Sequence, residues 1–308
     1  MTHTVFIDGK AGTTGLRIYE RLEKREDIRI LSLSEEERKN TAARRAAMND
    51  SDVVFLCLPD DAAREAVALA ENPDTVIIDA STAHRTKEGW AYGFPELSHA
   101  HREAIVHGKR IANPGCYASG FISLVRPLIV NGIADADYPF VCHAVSGYSG
   151  AGKKGIAQYT DPARGVSLDT PRLYALDLNH KHIPEMTKEC GLTRKPVFSP
   201  YICDYECGMS VTVPLFASLL KKRVSAEDLR ELFAAQYGAG GFVFVGREES
   251  GFLSANALNG TNRMEIFISG NEEQILLVSR FDNLGKGASG AAIQNMNLAL
   301  GLDERIGL

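Results

Sequence analysis

Val53-Val54-Phe55-Leu56-Cys57-Leu58 runs without a polar residue until Pro59 stops it. A strand with one wet face alternates apolar and polar residues, so an unbroken run of this length reads as a strand buried on both faces, the kind found in helix-covered parallel sheets. The surrounding chain agrees. His3 to Ile7 and Ile28 to Leu33 are β-rich, and between them Thr14 to Arg25 sets Leu16, Tyr19 and Leu22 on one side with Ile18 beside them, a helical spacing. After Pro59, Asp60 or Asp61 can cap a helix whose Ala63, Ala66, Val67 and Ala70 recur at i, i+3, i+4 and i+7, ending at Asn72-Pro73. Thr75 to Ile78 is the next strand. This alternation, up to about residue 112, predicts a doubly wound α/β layout of nucleotide-binding type.

The texture then changes. Tyr138 to Ser146, Pro196 to Asp204, Ser210 to Phe216, Phe242 to Val245, Met264 to Ser269 and Gln274 to Phe281 all read as strands with fewer helices between them, so a second, sheet-dominated domain follows. One helix there starts at Ser225, where Ser225-Ala-Glu-Asp228 resembles a capping box and Val224 and Leu229 hold the staple positions. Gly285 to Gly301 is helical again and is expected to pack back on the first domain. The expected division is 1–115 plus 285–308 against 116–284.

Composition narrows the function classes. With 308 residues, 44% apolar and 24% charged, the chain can bury a core and is not disordered. The net charge is −5 with dispersed basic residues, which argues against a nucleic-acid partner. No apolar run approaches the roughly 18 residues of a membrane span, and the start lacks the basic and apolar regions of a secretory signal, so a cytoplasmic location is expected. The six cysteines then read as reduced thiols; Cys203-Asp-Tyr-Glu-Cys207 has loose spacing for a metal clip and no second pair nearby.

Three motifs can carry chemistry. Gly9-Lys-Ala-Gly12-Thr13-Thr14-Gly15, between the first strand and helix, brings backbone amides and a positive dipole end to a pyrophosphate. At the end of the second strand, where an NAD site places an acid, stand Ser32 and Ser34, followed by Glu35 to Glu37, Arg38 and Lys39; hydroxyls and a guanidinium suit a 2′-phosphate. Asn113-Pro-Gly-Cys116-Tyr-Ala-Ser119 puts a thiol after a short strand (Arg110 to Ala112) and at the start of a run with helical spacing, where the dipole favours thiolate. Pro127 should kink or shorten that helix. His180-Lys-His182-Ile-Pro-Glu185 places two imidazoles two apart, on one face if the segment is extended, and suited to proton transfer; the H-x-H spacing also fits two metal ligands, but without a third in view no metal is expected. Arg85, past a strand end, can pair with a substrate carboxylate or serve a structural ion pair.

Taken together, Ile7-Asp-Gly-x-x-Gly-Thr-Thr-Gly-Leu16, Tyr92-Gly-Phe-Pro-Glu-Leu97, Asn113-Pro-Gly-Cys-Tyr117, Val145-Ser-Gly-Tyr-Ser-Gly-Ala-Gly152, His180-Lys-His-Ile-Pro-Glu185 and Asp282-Asn-Leu-Gly-Lys-Gly-Ala288 resemble the N-acetyl-γ-glutamyl-phosphate reductase family in its shorter bacterial type, across almost the whole chain. The resemblance implies a Rossmann domain, an α+β catalytic and dimerisation domain and a returning C-terminal helix. It also implies NADPH-dependent reduction of an acyl phosphate to an aldehyde in arginine biosynthesis, by a homodimer or homotetramer. Cys116 is then the nucleophile, one of His180 and His182 moves the proton, and Asn113 with the amides of residues 115 to 117 stabilises the oxyanion. Arg85 and Lys181 contact substrate, and Asn283, Lys286 and Gly287 lie near NADP(H). Tyr117-Ala118-Ser119 departs from the family's usual Tyr-Pro-Thr. The rival readings are an aspartate-semialdehyde dehydrogenase and a non-catalytic dinucleotide sensor; the sensor needs neither the cysteine nor the paired histidines.

Overall fold

The computed structural model describes residues 2–238, 240–247 and 250–308. The chain divides into two compact units, one reaching to Gly115 and including Ala288–Leu308, the other Cys116–Gly287.

The first unit holds six strands: β1 (His3–Asp8), β2 (Ile28–Leu31), β3 (Val53–Leu56), β4 (Val76–Asp79), β5 (Ala91–Tyr92) and β6 (Arg110–Ala112). They form a wholly parallel sheet in the order β2-β1-β3-β4-β6-β5. The period-2 alternation of a strand explains the unbroken apolar run. Val53 and Phe55 enter a core with Val5, Ile7, Ile18 and Leu22, while Val54 and Leu56 enter a separate one with Phe6, Met48 and Ile77. Helix α1 (Thr13–Leu22) serves the first of these cores, and α2 (Thr41–Asn49) and α3 (Asp60–Val67) the second. Chain order reverses across β1, whose carboxyl end therefore faces the crevice where ligands bind in such sheets.

Several local expectations are corrected. Neither Asp60 nor Asp61 caps α3; Pro59 is its N-cap, and the Asp60 carboxylate accepts from the Thr82 amide at 3.0 Å instead. Leu16 is exposed because the buried stripe of α1 is Gly15, Ile18 and Leu22. Helix α2 was not foreseen, since only its Ala47 and Met48 are buried. Helix α4 (His99–His107) completes the first half of the unit.

The second unit is built on a mixed sheet of β7 (Val141–Gly147), β8 (Arg172–Leu173), β9 (Val197–Cys203), β10 (Met209–Phe216), β11 (Val243–Val245), β12 (Met264–Gly270) and β13 (Gln274–Phe281), ordered β11-β12-β13-β10-β7-β9-β8. Its helices are α5 (Cys116–Val130), α6 (Gly152–Thr160), α7 (Ile183–Cys190) and α8 (Ala226–Tyr237). The capping box at Ser225 forms as expected, with Asp228 as the reciprocal partner. Helix α5 runs through Pro127 to Val130 rather than stopping. Proline removes the amide that would bond the Ser123 carbonyl, and the Tyr237 hydroxyl donates to that oxygen at 2.6 Å in its place.

A π turn, Gly285–Ser289, leads into α9 (Gly290–Ala299), whose Ala292, Ile293 and Met296 join the core of the first unit. The chain rejoins that unit at Ala288 rather than Gly285. The residues between stay with the second unit because the Gly287 amide bonds back to Asp282 O at 3.0 Å. Among the described residues no helix is long and apolar enough to cross a membrane.

Candidate active site

In the first unit the glycine turn leaves β1 at Gly9, whose φ of +85° and approach to Cys57 admit no side chain: a Cβ there would lie 2.3 Å from the Cys57 carbonyl oxygen. Gly12 is the N-cap of α1 and offers no capping side chain, so the first amides of the helix remain for an anion. Thr13 Oγ1 beside them is buried without a hydrogen-bond partner. A buried orphan hydroxyl at a helix N-terminus, on a loop whose bare glycines permit close approach, fits a dinucleotide pyrophosphate. Thr14 and Gly15 continue the same turn into α1.

A cavity of about 230 Å3 adjoins this turn, lined by Asp8, Gly9, Lys10, Ser32, Arg38 and Arg44 among others. Arg44 grips the buried Asp8 carboxylate through Nη2 at 2.6 Å and Nε at 3.1 Å. Ser34 is not on the cavity wall. Its hydroxyl accepts the Glu37 amide at 3.3 Å while its own amide donates to Glu37 Oε2 at 2.8 Å, and those hydrogen bonds hold the Glu37 carboxyl below its ordinary range.

At the ends of β4 and β6, Arg85 is buried and donates to Asn113 O at 2.9 Å and Ala80 O at 3.1 Å. Asn113 itself is a tie: Nδ2 donates to Ala288 O at 3.0 Å, and Oδ1 accepts from Asn295 at 3.2 Å. These two hydrogen bonds fix the orientation of the Asn113 amide.

In the second unit Cys116 is the first residue of α5 and is half-buried. The turn across from it must be bare, since a Cβ on Gly287 would come within 2.9 Å of Cys116 Cβ; Gly287 thus shapes the surroundings of Cys116. Tyr117, the next residue, packs against both imidazoles, with ring centroids 5.7 Å from His180 and 5.9 Å from His182. The two histidines are buried and meet edge to face, centroids 4.7 Å apart. Their segment is not extended. His182 is the N-cap of α7, Pro184 occupies its first turn, and the His182 amide donates to His180 Nδ1 at 3.1 Å. Lys181 between them is exposed.

Asn283 is another tie, accepting from the Gly208 amide at 2.8 Å and donating to Ser149 Oγ at 2.9 Å, which fixes the orientation of its amide within the unit. Lys286 is buried, its ammonium 5.6 Å from the centre of the Phe242 ring. Burial raises the thiols of Cys142, Cys190 and Cys203 above their ordinary range, as it does structural cysteines. Among the described residues no three His, Cys, Asp or Glu side chains converge as metal ligands.

The family described as "semialdehyde dehydrogenase, NAD binding domain" matches residues 4–105, and "semialdehyde dehydrogenase, dimerisation domain" matches 116–283. An N-acetyl-gamma-glutamyl-phosphate reductase 2 from Nostoc sp. is 46% identical over 317 aligned positions, covering 99% of this chain and 98% of its own length. The chain belongs to the N-acetyl-gamma-glutamyl-phosphate reductase family. A member named likewise from Pseudomonas putida is 46% identical, over 97% of both chains. The fold is also that of aspartate semialdehyde dehydrogenase II from Vibrio cholerae, which superposes with a TM-score of 0.73 at 14% identity over 98% of this chain and 99% of that one.

For an N-acetyl-gamma-glutamyl-phosphate reductase, sequence reasoning missed Arg44, Tyr117 and Tyr174. Arg44 lies on the unforeseen helix α2, and the Arg44-Arg45 pair was its only signal. Tyr117 stood in the motif next to the nucleophile, so its place was legible though its packing was not. Tyr174, whose hydroxyl lies 3.3 Å from His180 Nε2, sits in an irregular connection that no periodicity marks.

Proposed function

We propose that this chain reduces N-acetyl-γ-glutamyl phosphate to N-acetylglutamate 5-semialdehyde, releasing phosphate through a thioester on Cys116, in arginine biosynthesis. The carrying observation is Cys116 at the N-terminus of a helix, with its neighbour Tyr117 packed on a buried histidine pair. The helix dipole favours the thiolate, and one imidazole takes the thiol proton as sulfur bonds the acyl carbon. Phosphate leaves with the broken C–O bond. The amides of residues 115 to 117 are the donors for the oxyanion. NADPH, when bound, supplies hydride. Reduction of the thioester carbonyl leaves a tetrahedral alkoxide, whose collapse expels the Cys116 thiolate and frees the aldehyde.

The turn from Gly9 to Gly15 holds the pyrophosphate, with Thr13 Oγ1 as an added donor, and Ser32, Arg38 and Arg44 favour NADPH over NADH by facing its 2′-phosphate. Lys181 takes substrate carboxylate, and Lys286 takes the cofactor side of the reacting group. A homodimer forms through the outer face of the second sheet, where Leu173, Val197, Phe216 and Leu276 are exposed. Support for that surface is the register, which sets these residues on one face.

The test is an assay with NADP+ and phosphate, offering N-acetylglutamate semialdehyde or aspartate semialdehyde. Reduction of NADP+ with the first substrate alone is the expected result; a preference for the second overturns the substrate assignment. Mixing enzyme with acyl phosphate without NADPH should release phosphate in a burst and leave a thioester at Cys116 visible by mass.

A further inference from the structure

Asp8 and Arg44 meet in a way that leaves half of each group unspent. Nη2 and Nε of Arg44 both donate to Oδ2 of Asp8, at 2.6 and 3.1 Å. Other pairs of the chain match fork to fork. Arg25 gives Nε to Oδ1 of Asp27 and Nη2 to Oδ2, at 3.0 and 2.6 Å, and Arg102 with Glu304 and Arg164 with Asp204 likewise occupy both oxygens. Among the described residues no hydrogen bond reaches Oδ1 of Asp8 or Nη1 of Arg44. The Asp8 side chain is only 8% exposed, so a carboxylate oxygen left over there forgoes the stabilisation that a two-point match brings.

Both atoms belong to residues that line the cavity beside the glycine turn, together with Ser32. The scaffold fixes them from two elements. Asp8 ends β1 and its carbonyl accepts the Cys57 amide at 2.8 Å, while Arg44 stands on α2, whose N-cap Asn40 accepts from the Ala42 and Ala43 amides at 2.9 and 3.2 Å. The other cations of this wall are engaged elsewhere: the Lys10 ammonium lies over the Tyr19 ring, and Arg38 Nε donates to Leu33 O at 3.1 Å. An oxygen that can only accept therefore stands in one wall with a charged N–H donor. A ligand that satisfies both must carry a hydroxyl next to an anion. A ribose with a phosphate on one carbon and a free hydroxyl on the next has that chemistry, and a ribose with two hydroxyls does not.

We infer that Asp8 is a second reader of the cofactor's adenosine ribose: Oδ1 accepts the 3′-hydroxyl, while Oδ2 holds Arg44 so that Nη1 donates to the neighbouring 2′-phosphate. Asp8 and Arg44 then divide one task, the carboxylate sensing the hydroxyl and the guanidinium the phosphate. The inference deepens the NADPH reading above and rests on it.

Calorimetric titration of the full chain with cofactor fragments tests it without turnover. For the wild type, 3′-deoxyadenosine 2′,5′-bisphosphate should bind about tenfold more weakly than adenosine 2′,5′-bisphosphate, the size expected for one hydrogen bond to a charged group. In Asp8→Ala that ratio should shrink to within about twofold. In Arg44→Ala it should stay near tenfold, while the preference for adenosine 2′,5′-bisphosphate over adenosine 5′-monophosphate falls about tenfold. A hydroxyl effect that survives in Asp8→Ala overturns the assignment. The wild-type comparison needs no variant to fold and separates the two ideas. A preference for the bisphosphate without any effect of the 3′-hydroxyl defeats the role of Asp8 alone, and no preference for the bisphosphate over the monophosphate defeats the NADPH reading on which it stands.

Discussion

Helices α1 and α5 each begin where a strand ends in a glycine-containing turn, yet they do opposite things with the same physics. Helix α1 starts at Gly12 and offers bare amides, with Thr13 Oγ1 beside them, to an anion that must come from outside. Helix α5 starts with Cys116, so in the proposed reaction the same partial positive charge acts on a thiolate that the helix carries itself. Burial follows the difference. Helix α1 buries one stripe, Gly15, Ile18 and Leu22, whereas α5 is buried at eleven of its fifteen positions, which fixes the direction of its first side chain. The lesson is that a helix N-terminus specifies the sign of its guest, and the residue at its first position decides whether that guest is bound or built in.

The comparison breaks most sharply at the built-in anion. Cys116→Ser should fold and bind NADPH with wild-type affinity but lose at least about 10³-fold in kcat, some 4 kcal/mol of barrier, because a serine hydroxyl is hardly ionised at neutral pH. Turnover within tenfold of wild type would mean that α5 does not carry the nucleophile.

The converse change acts at α1. Gly9→Ala forces a Cβ against the Cys57 carbonyl at a positive φ; strain of up to about 3 kcal/mol corresponds to roughly 10² in NADPH dissociation constant. The Cys116 phosphate burst should survive in this variant. Unchanged NADPH affinity by fluorescence titration would sink the cradle assigned to this turn.

A smaller effect is expected beside the cradle. Arg44→Ala removes a guanidinium and leaves Asp8 facing the 2′-phosphate, so the NADPH over NADH ratio of kcat/KM should fall about tenfold. Ser34→Asp should change it by less than about threefold, since aspartate can replace serine as the cap of its turn. An effect of Ser34→Asp larger than that of Arg44→Ala would return the specificity role to Ser34.

The smallest effect contrasts two thiols. Burial, with the charges of Asp79 and Asp8, pushes Cys57 from an ordinary 9.0 up to about 12. Because its folded value is raised, the neutral thiol contributes stability that is intact below about 9 and is lost as pH rises toward about 12. The urea midpoint should fall over that interval, and Cys57→Ser should flatten the fall. At pH 8.5 iodoacetamide should modify Cys116 well before Cys57; equal rates would contradict the contrast.

How much was legible divides along range. Strands such as Gln274–Phe281 and the capping box at Ser225 are local matters of alternation and spacing, and they stand where expected. The continuation of α5 past Pro127 was not legible locally, because the partner that rescues the orphaned carbonyl, Tyr237, is far away in sequence. At the histidine motif the H-x-H pair sits at a helix start, with Pro184 in its first turn.

By itself the sequence determined which residue types meet in which motif: the glycine turn, Cys116 after Pro-Gly, the paired histidines and the doubly buried run from Val53 to Leu56. These are encoded within a few residues of one another, so spacing suffices to read them. Tertiary structure alone decided what each polar group is free to do. Asn113 reads as a catalytic amide and Asn283 as a cofactor contact in their motifs, and Ala288, Asn295, Gly208 and Ser149 fix how each amide is oriented. Tyr174 looks like nothing in the sequence and stands against His180. The physical reason is that a buried hydrogen-bonding group must find a partner, and in these cases the partner was chosen by the fold rather than by the neighbouring residues.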